Sequence, residues 1–206
     1  RWCRDNGGLI RYEDMAAHVT RIEDPLQIEY RGHTVYKCDS WTQGPWLLQA
    51  LNLLKNYDFS KIPRHSADHV HLLTEVKKLA LADRDKWYGD PLFTKVPMKQ
   101  LLSEEYSEVR RALIDMHQAS LEIRPGDPYQ IKALYEKGKQ KGVKTPSFDT
   151  TTFLAADKWG NVVAATPSGW GGALAEDCGV LLNTRLQSFN LWKGHPNCIE
   201  PGKRPR

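Results

Sequence analysis

The spacing of apolar residues changes along the chain, and this change limits the possible folds more than any other feature. Apolar residues recur every three or four positions through about the first two-thirds, whereas β-branched and small apolar residues form short runs after position 150. Strand and helix patterns do not alternate, which disfavours a parallel doubly wound sheet. The sequence therefore predicts an α+β fold with a helical part followed by a strand part.

The helical part is predicted to contain four helices. They lie at 45–57, from Ser66 or Asp68 over about six turns to Gly89, at 106–116 and at 129–135. The second helix is expected to bury one apolar stripe, formed by Val70, Leu73, Val76, Leu79 and Ala80. Residues 125–147 are rich in Gly, Pro, Lys and Gln and are predicted to form an exposed connection.

The strand part is predicted to begin with a β-hairpin. Residues 150–156 and 162–166 are rich in β-branched and small apolar side chains. The five residues between them include Gly and Asn, which can take the positive φ angles of a tight turn. A further strand is expected at 179–183.

Composition excludes several classes of protein. The net charge of +4 comes from 29 basic and 25 acidic residues without a long block of either sign, so nucleic-acid binding is not implied. No run approaches the ~20 apolar residues that cross a bilayer. The four cysteines lie far apart and are expected to be buried free thiols. They do not decide the compartment: a cytoplasmic location is favoured and a periplasmic or secreted one stays open. The start at Arg1 suggests a fragment or a matured chain.

One group of side chains has a spacing that a metal ion could use. Two imidazoles lie one helical turn apart in the set His65, His69, His71 and Glu75. The set lacks the HExxH order and a third ligand at fixed spacing. Structural hydrogen bonds are therefore the favoured role, and neither a metal nor a cofactor is expected.

A glycine-rich segment, 168–172, is a second candidate for ligand binding. It lacks both the GxGxxG order and the Lys-Ser/Thr pair of a phosphate-binding loop. Two interpretations stay open: a flexible turn, or a loop whose backbone approaches a ligand with Trp170 as a wall of the pocket.

Three consecutive threonines begin the first predicted strand. Alone they are ordinary strand formers, but the predicted exposed connection runs directly into Asp149 and Thr150. Cleavage there would free an α-amine with a pKa near 8, which can accept the proton of the same residue's hydroxyl and make it a nucleophile. This is the arrangement expected if the chain is cut before Thr150 and Thr150 becomes the nucleophile, and ordinary strand-forming threonines remain the alternative.

Several ordered blocks resemble the gamma-glutamyltransferases, a family of N-terminal-nucleophile hydrolases. The blocks are Gly7-Gly8-Leu9-Ile10, Glu13-Asp14-Met15-Ala16, Tyr30-Arg31-Gly32, Gln49-Ala50-Leu51-Asn52, Ala82-Asp83-Arg84, Gly89-Asp90-Pro91, 150–163 and 179–183. The resemblance implies a four-layer αββα sandwich, only part of which this chain contains. It also implies that 1–149 ends a large subunit and that 150–206 begins a small one.

The resemblance also implies roles for individual residues. The precursor would cut itself between Asp149 and Thr150, and Thr150 would accept a gamma-glutamyl group and pass it to water or an amine. Ser168 takes the place of a second hydroxyl that supports the nucleophile. Asn183 falls close to where the family holds the amino acid group of the substrate.

Three positions depart from the family pattern. Thr152 replaces a histidine, and Arg185 and Ser188 replace the acidic residues that bind the substrate α-amine. A cation beside Arg185 is penalised, so the departures favour an acyl amide that has a free carboxylate but no ammonium.

The same departures leave an alternative function open. A self-processing acyltransferase or amidohydrolase is the first hypothesis, and a catalytically inactive paralogue that serves as a binding or assembly subunit is the second. Family members extend beyond both ends of this chain, so the oxyanion hole and one substrate-binding arginine would lie outside it. The expected partners are a small acyl amide, the remaining segments of the same protein and a second copy of the chain.

Overall fold

The chain forms two compact units in the computed structural model, which describes residues 2–135, 152–166, 174–175, 180–181 and 185–206. Unit 1 comprises Arg1–Ile22 and Val143–Gln187, and unit 2 comprises Glu23–Gly142 and Ser188–Arg206. Each unit therefore combines two stretches that are distant in sequence.

The described part contains both helices and strands, as predicted for an α+β protein. In chain order they are α1 (Trp2–Asp5), α2 (Tyr12–Ala16), β1 (Leu26–Tyr30), β2 (His33–Lys37), α3 (Gly44–Leu54), α4 (Ala67–Trp87), α5 (Met98–Leu101), α6 (Glu104–Arg111), β3 (Phe153–Ala156), β4 (Val162–Ala165), β5 (Leu174–Ala175) and β6 (Val180–Leu181). A short 3₁₀ helix, Arg185–Ser188, follows β6.

Helices α3 and α4 form the core of unit 2, and both were predicted. Pro45 lies in the first turn of α3, where its missing N–H is not needed. Ser66 caps α4, since its hydroxyl accepts a hydrogen bond from the His69 amide at 3.2 Å. Leu53 of α3 and Leu72 of α4 belong to one buried apolar cluster.

The predicted apolar stripe of α4 was partly wrong. Val70 is 58% exposed and Leu73 is only half-buried, whereas Leu72 is fully buried. Glu75 and Asp83 are also buried on this helix. The stripe was misplaced because apolar spacing alone gives no sign that a helix buries carboxylates against cations from distant segments.

Two other helix predictions were wrong in extent or in kind. Helix α6 ends at Arg111 instead of 116, because the amide of Leu113 turns back to the Arg110 carbonyl. Residues 129–135 form no helix: Asp127 and Lys132 exchange backbone hydrogen bonds in an isolated bridge. The carboxylate of Asp127 accepts from the next amides along the chain and so favours a turn.

A hairpin of β1 and β2 was not predicted at all. The strands are antiparallel with Ile28 opposite Val35. Arg31 and Gly32 both have positive φ, as a two-residue hairpin turn requires. The helical part therefore contains strands, and the predicted order of helices followed by strands was too simple.

The predicted exposed connection at 125–147 begins inside the protein. Residues 125–128 are buried, and the Gly126 amide donates to Asp83 at 2.8 Å. The segment is buried because its backbone groups serve as partners for charged side chains of the helices. Residues 136–147 lie outside the described part.

The hairpin of β3 and β4 in unit 1 confirms the predicted strand pair and turn. Phe153 lies opposite Ala165 in an antiparallel register. Asp157 closes the turn by accepting from the amides of Trp159 and Asn161, and Gly160 has a φ of 87°. Strand β6 lies within the further strand expected at 179–183 and pairs antiparallel with β5.

The cysteine prediction was correct in one respect and wrong in another. Cys3, Cys38 and Cys198 are free, but Cys38 is exposed and the other two are half-buried. Cys178 lies outside the described residues. Among the described helices, none has the length and apolar character needed to cross a membrane.

Candidate active site

The open end of the β3–β4 hairpin is the described feature nearest in sequence to the predicted nucleophile. Thr152 precedes β3 and Thr166 follows β4, and both residues are exposed. Their Oγ1 atoms lie 3.3 Å apart, within hydrogen-bond distance. Two hydroxyls thus mark the end of the hairpin where the chain enters from 151 and leaves toward 167.

The predicted site residues differ in whether the structure describes them. Thr152 is part of the hydroxyl pair, Arg185 is exposed at the start of the 3₁₀ helix, and Ser188 is half-buried at its end. The carbonyl of Ser188 accepts from the Asn197 side chain at 2.7 Å. Five predicted site residues lie outside the described part: Asp149, Thr150, Ser168, Trp170 and Asn183.

The histidine and glutamate side chains of α4 have structural partners, as the favoured interpretation proposed. His71 Nε2 lies 2.7 Å from the Asp115 carbonyl oxygen. Buried Glu75 pairs with Lys78 and with Arg124, whose Nη2 is 3.2 Å away. The described ranges contain no group of three His, Cys, Asp or Glu side chains arranged to hold a metal ion.

Several residues of the family-like blocks stabilise the interior of unit 2. Asp83 Oδ1 lies 3.2 Å from Nη2 of Arg110, and both side chains are buried. Gln49 donates to Asp83 at 3.2 Å and accepts from the Tyr88 hydroxyl. Burial raises the pKa of Asp83, although the Arg110 charge acts in the opposite direction.

Asp90 lies in another of these blocks, and its carboxylate binds Arg204. Arg204 donates from its side chain and its backbone amide to the buried Asp90 carboxylate. Burial alone would raise the pKa of Asp90, but the hydrogen bonds from Arg204 and the Leu92 amide lower it overall. Burial alone would lower the pKa of the Arg204 guanidinium, but its hydrogen bonds to Asp90 and Glu23 raise it overall.

Sequence reasoning missed two features of the structure. One is the set of cations that pair with the buried acids, and the other is the second hydroxyl of the hairpin. Arg110 and Arg124 lie outside the blocks that carry the resemblance, and nothing in their local sequence indicates their partners. Thr166 could have been found, because it follows β4 as closely as Thr152 precedes β3. Residues equally far from a hairpin turn face each other across the strands.

The sequence and the fold together identify the family. Residues 2–206 match the family model described as Gamma-glutamyltranspeptidase. The chain belongs to the gamma-glutamyltranspeptidase family, which confirms the resemblance inferred from the ordered blocks.

Three relatives show how far this similarity extends. The glutathione hydrolase proenzyme of Bacillus subtilis (strain 168) is 33% identical over 210 residues, covering 98% of this chain and 36% of that protein. The acylase ACY 1 proenzyme of Pseudomonas sp. (strain SE83) is 35% identical over 204 residues, covering 97% and 34%. The crystal structure of cephalosporin acylase from Bacillus halodurans matches with a TM-score of 0.77 and 30% identity, covering 98% and 34%. The chain spans about a third of the length of these relatives.

Proposed function

We propose that this chain supplies the cleavage site and the threonine nucleophile of a self-processing gamma-glutamyltransferase-like enzyme. The enzyme transfers or hydrolyses the acyl group of gamma-glutamyl or related acyl amides. The hydroxyl pair at the open end of the β3–β4 hairpin is the observation that carries the proposal, because Thr150 and Ser168 lie two positions along the sequence from its two members.

The hydroxyl pair continues the described register of the β3–β4 hairpin. Thr152 and Thr166 are the next opposed positions after Phe153 and Ala165. Opposed side chains in a hairpin have Cβ atoms about 4.5–5.5 Å apart, which brings these two hydroxyls together. Thr150 and Ser168 lie two positions further along the sequence, before and after this pair, and outside the described residues. This matching spacing supports Ser168 as the hydroxyl proposed to act with Thr150.

The proposed chemistry uses Thr150 twice. Its hydroxyl first attacks the Asp149 carbonyl carbon, the peptide C–N bond breaks, and the nitrogen becomes the α-amine of Thr150. Water then hydrolyses the ester and releases the Asp149 carboxylate. In turnover, the α-amine takes the hydroxyl proton, the oxygen attacks the substrate carbonyl and the amine product leaves. Water or an acceptor amine completes the cycle.

Other parts of the protein are proposed to complete the site. Because the chain spans about a third of its relatives, the oxyanion donors and much of the substrate pocket would come from other segments. We propose the four-layer sandwich, and the division into 1–149 and 150–206 as parts of two subunits, on the same grounds.

The names of the relatives support an enzyme of this kind. One relative is a glutathione hydrolase proenzyme and another is an acylase proenzyme. These names favour a precursor that cleaves amide bonds over the inactive binding or assembly subunit. These names include both a glutathione hydrolase and an acylase, so they do not decide between gamma-glutamyl and other acyl donors. The replacement of an acidic residue by Arg185 guides that choice.

Replacement of the nucleophile tests the proposal. Thr150→Ala has no hydroxyl to attack the preceding carbonyl, so we expect a single uncut chain and no turnover. Thr150→Ser is the matched control and should still be cut before residue 150. Intact-mass measurement of the whole protein distinguishes these results, and two-chain protein from Thr150→Ala would refute the assignment.

The supporting hydroxyl should matter less than the nucleophile. Ser168→Ala removes one hydrogen bond worth about 0.5–1.5 kcal/mol, which corresponds to at most about a tenfold lower rate. The time course of cleavage and the turnover rate both report this effect. Complete loss in both variants would mean that the two roles are wrongly assigned.

A further inference from the structure

Unit 2 is built from two stretches that lie on opposite sides of the predicted cleavage site. Glu23–Gly142 precedes the Asp149–Thr150 bond and Ser188–Arg206 follows it. If the chain is cut there, no peptide bond joins the two stretches. Non-covalent contacts within unit 2, together with those within unit 1, which also spans the cleavage site, then hold the two product chains together.

Two arginines near the end of the chain make charged contacts between the described parts of these stretches. Arg204 Nη2 lies 3.0 Å from Asp90 Oδ1, and its Nη1 lies 2.8 Å from Glu23 Oε1. Arg206 Nη2 lies 3.0 Å from Asp85 Oδ1. We call Arg204, Arg206 and these three acceptors the arginine clamp.

Asp90 and Arg206 of the clamp are largely removed from water, which strengthens their contacts. The Asp90 side chain is 0% exposed and that of Arg204 is 26% exposed. Arg204 also lies over the Trp41 ring at 4.5 Å, and Arg206 donates to the Arg84 carbonyl at 2.7 Å. Hydrogen bonds between ionised groups are about twice as strong as neutral ones, and a planar guanidinium can present two donors at once.

Close backbone packing accompanies the clamp. A Cβ atom at Gly89 would lie 2.5 Å from the Pro196 carbonyl oxygen, so only glycine lets the two stretches approach this closely. Ser40 fixes the Gly89 carbonyl by donating a hydrogen bond at 2.9 Å. The Arg206 amide in turn donates to the Asn197 side chain at 3.0 Å.

We infer that the arginine clamp is the latch that keeps 188–206 bound to 23–142 after the chain is cut. The inference rests on the proposed self-cleavage. The partner of the acidic side chains on 23–142 is then the segment 188–206, which belongs to the other product chain. Removing the Asp90 charge weakens the hydrogen bonds from both the Arg204 amide and its guanidinium, because Asn keeps only one neutral acceptor oxygen. The segment then opens more often in the cut protein, where no peptide bond links its chain to 23–142.

Hydrogen exchange of the whole protein tests this latch. Asp90→Asn should speed amide exchange in 197–206 by about tenfold to a hundredfold in the cut protein. In the uncut Thr150→Ala background the increase should be smaller, because a covalent link keeps the segment at high effective concentration. Arg204→Lys keeps the charge but loses the paired donors, so it should fall between wild type and Asp90→Asn. It also serves as a second test if Asp90→Asn fails to fold.

The outcomes separate the latch from the cleavage on which it rests. Asp58→Asn, which alters an exposed pair with Lys61 on the same unit, is the control and should leave exchange in 197–206 unchanged. Equal exchange in wild type and Asp90→Asn would overturn the latch, as would equal increases in the cut and uncut backgrounds. A wild-type protein that intact mass shows to be one chain would instead overturn the proposed function.

Discussion

The buried pair of Asp83 and Arg110 offers the sharpest test of what stabilises unit 2. We consider Asp83→Asn, which keeps the shape of the side chain and removes its charge. The two side chains are 2% and 1% exposed, so water cannot replace the lost partner of Arg110. Asn also replaces one carboxylate oxygen with an NH2 group, so it keeps an acceptor for only one of the two donors of Asp83, the Gly126 amide and Gln49.

The expected size of the effect depends on the hydrogen bonds that Arg110 keeps in the Asp83→Asn variant. Breaking a buried ion pair from one side costs about 3–5 kcal/mol. Arg110 still donates to the carbonyls of Leu79, Arg124 and Ala133, so its charge remains partly solvated. We therefore expect a loss of about 3 kcal/mol, or a factor of about 150 in the folding equilibrium. This is a large share of the 5–15 kcal/mol typical of whole proteins.

Urea unfolding monitored by tryptophan fluorescence measures this loss. Trp87 donates to the Gly126 carbonyl at 3.1 Å, which places an indole beside the pair as a reporter. Asp58→Asn is again the control and should leave the unfolding midpoint close to that of wild type, because its partner Lys61 is 82% exposed.

A double-mutant cycle separates the pair from the general effect of substitution. Asp83→Asn combined with Arg110→Met should be less destabilised than the sum of the single variants, by about 1 kcal/mol or more. Additive losses, or a midpoint shift in Asp83→Asn no larger than that of Asp58→Asn, would refute the reasoning.

Three further predictions concern a helix cap, an ion pair and the substrate. Ser66→Ala should lower unfolding free energy by about 1 kcal/mol and Ser66→Gly by only a few tenths, because glycine is a tolerated N-cap; thermal unfolding distinguishes the two. Arg204→Gln should be less stable than wild type above pH about 4. A carboxyl with a lowered pKa contributes stability above its unfolded pKa, so the stability difference between wild type and Arg204→Gln should close as pH falls through the pKa of Asp90. Urea midpoints from pH 7 to 2 test this, and a constant difference would contradict it. If Arg185 faces the donor, kcat/KM of the whole enzyme should favour a glutaryl amide over glutathione, and a tenfold preference for glutathione would rule this out.

The sequence was most informative about features that depend on neighbours in the chain. The 3.6-residue spacing placed α3 and α4, Ser66 was one of the two predicted starts of α4, and the Asp157–Asn161 turn joined the predicted strands. The β1–β2 hairpin also had a local signal, since Leu26–Tyr30 alternates apolar and polar residues before Gly32, but the surrounding helical periodicity obscured it. The ordered blocks were sufficient for the family, while the roles of Thr150 and Ser168 stay predictions.

Tertiary structure decided which charges are buried and what they meet. Asp83 pairs with Arg110, and Asp90 pairs with Arg204 from near the other end of the chain. No local pattern encodes such a partner, because an isolated carboxylate on a helix is equally consistent with a solvated face. Folding selects the pair only when a distant cation can offset the cost of removing the carboxylate from water.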